Sequence, residues 1–576
     1  MSVFFNGRLL TTPTVETAVY DDGMAAQSAA VGNSLALIGS SDSGAPKTPI
    51  RMRSIAHARE VLGGGDLLYA VEKAFSPSAE TGAPGAIYAV RVNPATQASL
   101  TLSNSSLDAL AIIQSVDYGL NANNIKLKIE AASGGDGYKT TLVKNETVTH
   151  VADNLKRDVM TVRYTGTATT ATLSVTDTGL TLEKYNDPPV AIEFSAGMTA
   201  AQVAARIRSN ADWTVTLDSA AGEYPLLGAL DNLSMGDAKA AGGVVIKANV
   251  QAALDWLTGT TMVTSTRVIN GSRSGAGGLA PIPFTYLSGA DNGVITNEDW
   301  SDAFDVLQSE DVQWLAPLSD APAVWGIADT HCQFMSTVGR RERRCFVGGG
   351  TGNTLEQAIA DAASINSDRT SYVYPAFYDY TAAGVLKLMP AYHMAAMMAA
   401  AFASLTPGEP MTNKSVKIRG LERPIALPGD TDYLIKGGVL SVHQAARGGY
   451  RVTKSISTWL SNGNYNRVEV STGAALDYVV RTVREQLEIF VGRKANQLSL
   501  IHITETIAST LRMLAKNEPF GMGLLAGDDT NPPFRNINVE LTGDTVHATF
   551  ECSPVVPVNF ILCSVYAKAY AGSVTI

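Results

Sequence analysis

The first stretch that could do chemistry is Gly348-Gly349-Gly350-Thr351-Gly352-Asn353-Thr354, between a strand-like and a helix-like segment. Backbone amides in such a loop, beside a helix N-terminus, can hold a phosphate. A nucleotide phosphate loop also needs a following lysine and Ser/Thr, and a dinucleotide fingerprint needs GxGxxG; the run has neither. Its default reading is a tight turn with Asn353 or Thr354 capping the next helix. Gly63-Gly64-Gly65 likewise lacks a leading strand and a lysine, and reads as a turn. Gly271-Ser272-Arg273-Ser274-Gly275 has the wrong spacing for a GxSxG nucleophile elbow. The seven histidines, at 57, 150, 331, 393, 443, 502 and 547, form no HExxH or other ligand pair. A triad built from distant positions stays open, because triads are recognised by geometry. Cys332, Cys345, Cys552 and Cys563 lack CxxC spacing, which argues against zinc and thioredoxin-like chemistry. In a reducing cytoplasm they are expected as buried free thiols, with cross-links between subunits as the alternative. No catalytic, cofactor-binding or metal-ligating residue is assigned.

The densest charge cluster is Arg340-Arg341-Glu342-Arg343-Arg344. One reading is a solvated helix end, where cations complement the macrodipole. The other is an interface patch meeting acidic residues of a neighbour, near Glu298-Asp299 or Glu310-Asp311. Nucleic-acid binding ranks third, because no aromatic platform accompanies the cluster.

The elements that must position these residues follow from periodicity. Strand-like pieces at 262–269, 312–317, 345–348 and 371–375 alternate with helix-like pieces at 297–307, 323–338, 354–364 and 390–405. That alternation predicts a parallel sheet with helices packed on it. Upstream, residues 35–39 and 86–92 read as strands around helices near 54–62 and 67–75. Residues 96–240 are rich in Thr, Ser, Gly and Val in short alternating runs, which predicts a β-sandwich with one helix near 199–209. The proline- and glycine-rich stretch 406–466 reads as a bridge, with residues 435–439 and 451–453 as a strand and its return.

The last hundred residues form a unit of their own. Leu476, Val480, Val483, Leu487 and Phe490 recur at helical spacing over 473–491, before Gly492. A second helix over 498–517 aligns Ile503, Ile507, Leu511 and Leu514. The period then drops to two around the turn Thr542-Gly543-Asp544-Thr545. Residues 558–567, apolar on both alternating faces, read as a strand covered on both sides.

At 576 residues the chain is too long for one core. Only 17% of residues are charged, against about 25% in ordinary soluble domains, so surface is expected to be hidden in an assembly. A net charge of −10 argues against non-specific binding to nucleic acid or anionic membranes. The first residues lack a signal peptide's charged start, and the apolar stretch 394–405 is too short to span a bilayer. No membrane insertion is expected.

With those elements in place, the run from Asn466-Arg467-Val468 through Arg481, Arg484, Leu487 and Phe490-Val491-Gly492-Arg493-Lys494 resembles the C-terminal domain of contractile-tail sheath proteins. Ala36-Leu37-Ile38-Gly39, Tyr88-Ala89-Val90-Arg91-Val92, Tyr286-Leu287-Ser288-Gly289-Ala290-Asp291-Asn292-Gly293, Trp300, the basic run and Pro410-Met411-Thr412-Asn413-Lys414 fit the same family in order. The resemblance implies a multidomain α/β and α+β chain. Its expected parts are an N-terminal arm (1–24), the first part of the core (25–95), an inserted outward-facing β-sandwich (96–240), a subtilisin-like α/β domain (241–405), a C-terminal domain (406–568) and a C-terminal arm (569–576). It implies a non-enzymatic subunit that stacks as hexameric rings around a tail tube and contracts for genome ejection. Expected partners are further copies of itself, the tube, baseplate and tail terminator proteins. Assembly is expected in the host cytoplasm and residence in the virion tail. Contacts between subunits are expected at Val3, Phe5, Val15, Val19, Arg340, Arg341, Arg343, Arg344, Val558, Phe560 and Leu562. A bacteriocin or secretion-device sheath is the nearest alternative. A subtilisin-fold or nucleotide-binding enzyme and a surface-exposed β-rich binding protein are the competing classes.

Overall fold

The computed structural model describes residues 3–5, 8–10, 33–219, 221–270, 277–381, 384–517, 521–568 and 572. Val15, Val19, the serine-bearing run 271–275 and nearly all of the arm 569–576 lie outside them.

The centre is a nine-stranded sheet. Six parallel neighbours, Val439–Gln444, Thr370–Tyr374, Arg344–Gly348, Trp314–Pro317, Ser34–Gly39 and Ala86–Arg91, form its middle. Antiparallel strands close both sides: Tyr450–Val452 and Ser415–Val416 at one, Pro49–Met52 at the other. Strand alternation sorts the side chains onto two buried faces. Leu35 and Leu37 join Trp314, Phe346 and Val373 under the helices Ile55–Leu62, Gly65–Ala74 and Ala391–Ser404. Ala36 and Ile38 join Leu315, Val347 and Tyr372 under Asn297–Asp305, Pro322–Thr337 and Leu355–Ile365. The expected strands and helices of this body lie within a few residues of their observed bounds. Residues 435–436 differ: they end the helix Gly429–Lys436, which Asp430 and Asp432 favour in its first turn, and the strand begins at Val439. That strand lies beyond residue 405, so the sheet is continuous across that position.

Between residues 96 and 291 the chain leaves the sheet and builds two β-rich cores. Gln97–Ser103, Ala109–Tyr118 and Val263–Arg267 face the sheet Val148–Leu155, Tyr138–Lys144, Ile125–Ala131 and Ile282–Tyr286, with helix Asn249–Gly259 between the layers' residues. A second pair of sheets shares a core with Ala200–Arg208, whose N-cap Thr199 forms a capping box with Gln202. The expected strand at 262–269 therefore pairs antiparallel with Ala109–Tyr118 and does not enter the parallel sheet. Thr96 N–H donates to the Asp291 carbonyl at 3.0 Å, so entry and exit are adjacent.

The chain closes with helices Val470–Leu487 and Gln497–Ala515 and the hairpin Phe534–Thr542/Thr545–Cys552 over a shared core. Ile503, Ile507, Leu511 and Leu514 are buried as their spacing predicts. The first helix is turned from its expected face: Val480 is exposed, while Ala475, Tyr478, Val479, Thr482 and Val483 are buried. It sits between the sheet body and the second helix, so small residues serve the body-facing contact. Gly473 is one: a Cβ there would sit 2.3 Å from Arg344 Nη2.

Candidate functional site

The glycine-rich loop is a packing device. Gly348 lets helix Ala391–Ser404 approach, since a Cβ there would lie 2.6 Å from the Ala391 carbonyl carbon. Thr354 caps helix Leu355–Ile365 through a capping box with Gln357. The Gly352 N–H, a donor a phosphate would need, goes to Glu422 Oε1 at 2.7 Å. Asp320 Oδ2 lies 2.7 Å from where a Gly350 Cβ would be. Two carboxylates at the loop repel an anion.

The histidines are dispersed. His331 Nε2 accepts from Arg343 Nη1 at 2.7 Å, and burial with that nearby charge lowers its pKa to about 3. His393 is buried, its Nε2 3.4 Å from Asp66 Oδ1, and burial pushes its pKa down. Among the described residues no group of three or more His, Cys, Asp or Glu could hold a metal ion, and no helix is long and apolar enough to cross a membrane. Cys332 and Cys345 are buried against each other within the chain, and burial pushes the Cys345 thiol up. Cys552 is half-buried and Cys563 exposed.

The basic run is a joint inside the chain. Arg343 is wholly buried, donating to the Leu307 and Glu310 carbonyls at 2.9 and 2.5 Å. Arg341 donates to the Gln308 and Ser309 carbonyls. Arg344 pairs with Asp477 at 2.8 Å, and Arg369 meets both oxygens of the same carboxylate. Glu342 takes two bonds from Arg484, whose Nη1 also reaches the Arg340 carbonyl. Arg481 pairs with Asp311. The solvated-end reading thus fails for Arg343 and Arg344, which burial removes from water. Within the subunit, Asp311 and the Glu310 carbonyl serve this joint, and Asp299 pairs with Lys47. Arg340 is exposed, lining a cleft with Leu487, Phe490 and Val491. Sequence spacing could not reveal Asp477, Arg481 and Arg484 as the counterparts, because each pairing joins segments over a hundred residues apart.

The terminal segments contrast with this joint. Val3–Phe5 pairs with Arg8–Leu10 in a two-stranded sheet of its own. The hairpin 534–552 is likewise a two-stranded sheet. Residues 558–567, expected as a covered strand, form no strand and are exposed: Val558 at 79%, Phe560 at 81% and Leu562 at 96%. A strand needs a neighbour for its N–H and C=O groups, and the described chain sets none beside this run.

Comparison with known proteins places these features. Residues 293–458, which begin as the chain returns from the β-rich excursion, match the family model of the phage tail sheath protein central domain. Over 97% of its length the chain is 28% identical to the tail sheath protein of Bacillus phage SP01, covering 96% of that protein. The chain is similar over nearly its whole length to phage tail sheath proteins. The putative tail sheath protein of Enterococcus phage phiEF24C is 26% identical, with 98% of each chain covered. The crystal structure of the sheath tail protein from Desulfitobacterium hafniense shares the fold at a TM-score of 0.54 and 11% identity, over 93% of this chain and 100% of that one. These sheath relatives are structural proteins of the tail, not enzymes.

Proposed function

We propose that this chain is the subunit of a contractile phage tail sheath, polymerising as stacked hexameric rings around the tail tube and contracting to drive the tube through the bacterial envelope for genome ejection. The observation that carries the reading is the exposed apolar run 558–566, strand-like in sequence yet without a strand partner among the described residues. An unpaired strand and an open hairpin edge are the two halves of a β-augmentation contact. Val558, Phe560 and Leu562 at one end and Val3 and Phe5 at the other are the residues assigned to contacts between copies; Val15 and Val19 extend the N-terminal arm. Arg340, Arg341, Arg343 and Arg344 act first within the subunit, tying the sheet body to the terminal helices. The same likeness supports the finer architecture: a subtilisin-like α/β body, an outward-facing inserted β-sandwich and a C-terminal domain that lends and accepts strands. It also supports tube, baseplate and tail terminator as partners, and assembly in the host cytoplasm. A heterologous contact that does not close on itself generates the helical polymer.

The test is negative-stain microscopy of purified subunits. Full-length chain is expected to form hollow tubes. Chains lacking residues 1–20 or 558–576 are expected to stay folded and dispersed; tubes from both truncated forms would remove strand exchange as the basis of assembly.

A further inference from the structure

The terminal run is loose along its length but held at one point. Up to Val555 the chain is fixed by backbone bonds: Ser553 N–H donates to the Pro533 carbonyl and Val555 N–H to the Leu524 carbonyl, at 2.9 and 3.0 Å. Beyond Pro557 the run is mostly exposed and apolar, and Asn559 is the first polar side chain in it. Asn559 Nδ2 donates to Glu469 Oε1 at 2.7 Å.

Glu469 is an unusual anchor. It is completely buried, immediately before helix Val470–Leu487. Its N–H donates to the Tyr465 carbonyl, its own carbonyl accepts from Gly473, and it forms a lone bridge with Ile456. The backbone beneath the carboxylate is therefore rigid. Lys454 Nζ lies 3.3 Å from the same Oε1, while Oε2 and Asn559 Oδ1 are buried without a hydrogen-bond partner among the described residues. Burying a carboxylate costs several kcal/mol, and a half-satisfied one is a poor choice for stability alone. A residue kept at such a cost fits a role in fixing geometry.

We propose that Asn559 is a positioning residue, a latch on Glu469 that fixes where the C-terminal segment leaves the body and so aims the strand lent to the next copy. This rests on the strand-lending reading above. Residues up to 559 move with the terminal helices; those after it swing freely until a neighbour's sheet takes them.

The test uses the full chain with Cys552→Ser, labelled with a fluorophore at the exposed Cys563. Asn559→Asp sets a second carboxylate against Glu469 and is expected to lower the label's anisotropy in the unpolymerised subunit. It should also raise the concentration needed for tubes about tenfold, the scale of one hydrogen bond to a charged group. Glu469→Gln alone keeps an acceptor and gains a donor for Asn559 Oδ1, so it should hold the segment. Combined with Asn559→Asp it should restore both readouts, which a merely damaged fold would not do. Asn559→Asp with wild-type anisotropy and assembly, in a chain whose truncation at 558 abolishes tubes, overturns the latch and leaves strand lending standing. Tubes from the truncated chain overturn both, through the truncation arm.

Discussion

Arg344 and Asp477 are 133 residues apart in the chain and 2.8 Å apart in space, and this pair joins the terminal helices to the sheet. Asp477 answers two guanidiniums, Arg344 and Arg369, with Arg344 nearly out of water. Removing one partner of a buried pair costs more than the pair contributes, because the other charge is left stranded. Asp477→Ala is expected to destabilise the subunit by on the order of 3 kcal/mol, read as a lower denaturant midpoint; Asp477→Leu combined with Arg344→Met and Arg369→Met, which strands no charge, should recover much of it. His331 gives the pH dependence. In the unfolded chain it takes a proton near pH 6.5, in the fold only near pH 3, because burial and Arg343 oppose the charge. The unfolded state therefore binds more protons between those values. Stability is complete above about pH 6.5 and falls as pH drops towards 3, by up to about 1.4 kcal/mol per pH unit from this one group. His331→Gln, which keeps an acceptor for Arg343 and cannot titrate, should flatten the decline between pH 7 and 5 in unfolding experiments. An equally steep decline in that variant would assign it to other groups.

Elements were legible where local rules decide them, and illegible where a distant partner does. Ser54 and Thr354 announce helices that begin one residue later, each accepting from the backbone N–H three residues on. Residues 35–39 read as a strand, and Leu35 to Ile38 form one buried on both faces. The glycine run 348–352 reads as a tight turn, yet its sequence cannot say what the glycines make room for, because glycine serves close approach of any kind. Only the fold shows that what approaches Gly348 is the backbone of Ala391 and Tyr392. Gly348→Ala must therefore push a buried helix off the sheet or strain the strand, a cost of about 1–3 kcal/mol. The expected result is a lower unfolding midpoint with unaltered secondary-structure content; an unchanged midpoint would mean that the helix has room to move. Residues 558–567 show the opposite limit. Their apolar residues predict a covered strand, but a strand also needs a neighbour for its backbone groups, and among the described residues none pairs with them.

At the scale of the whole molecule, the chain is a sheet body with one large detour and one attached terminal unit, and the detour is separable. Its two cores, around Val162 and Leu173 and around Ile113 and Leu127, are closed by their own sheets. The turning points touch: Thr96 N–H meets the Asp291 carbonyl at 3.0 Å, and Asp291 N–H meets Thr96 Oγ1 at 3.0 Å. Its extent was hard to read because residues 244–267 carry a strand–helix–strand pattern like that of the sheet body, yet pack into the detour's cores. Joining such adjacent ends costs little loop entropy. Replacing residues 97–290 by a short glycine-serine linker is therefore expected to leave the nine-stranded sheet and the terminal helices folded. The body loses the bonds from Gly44 N–H to Asp117 and from Asn121 to Ser43, and a partner at Arg91, whose guanidinium bonds the Gly44 and Tyr118 carbonyls and Asn292. Excision removes Tyr118 but also admits water, which can take its place. The shortened chain should unfold cooperatively and still form tubes, narrower by the missing density, because both terminal segments and the hairpin are untouched. Folded, dispersed subunits would instead place an essential contact between copies on the β-rich detour.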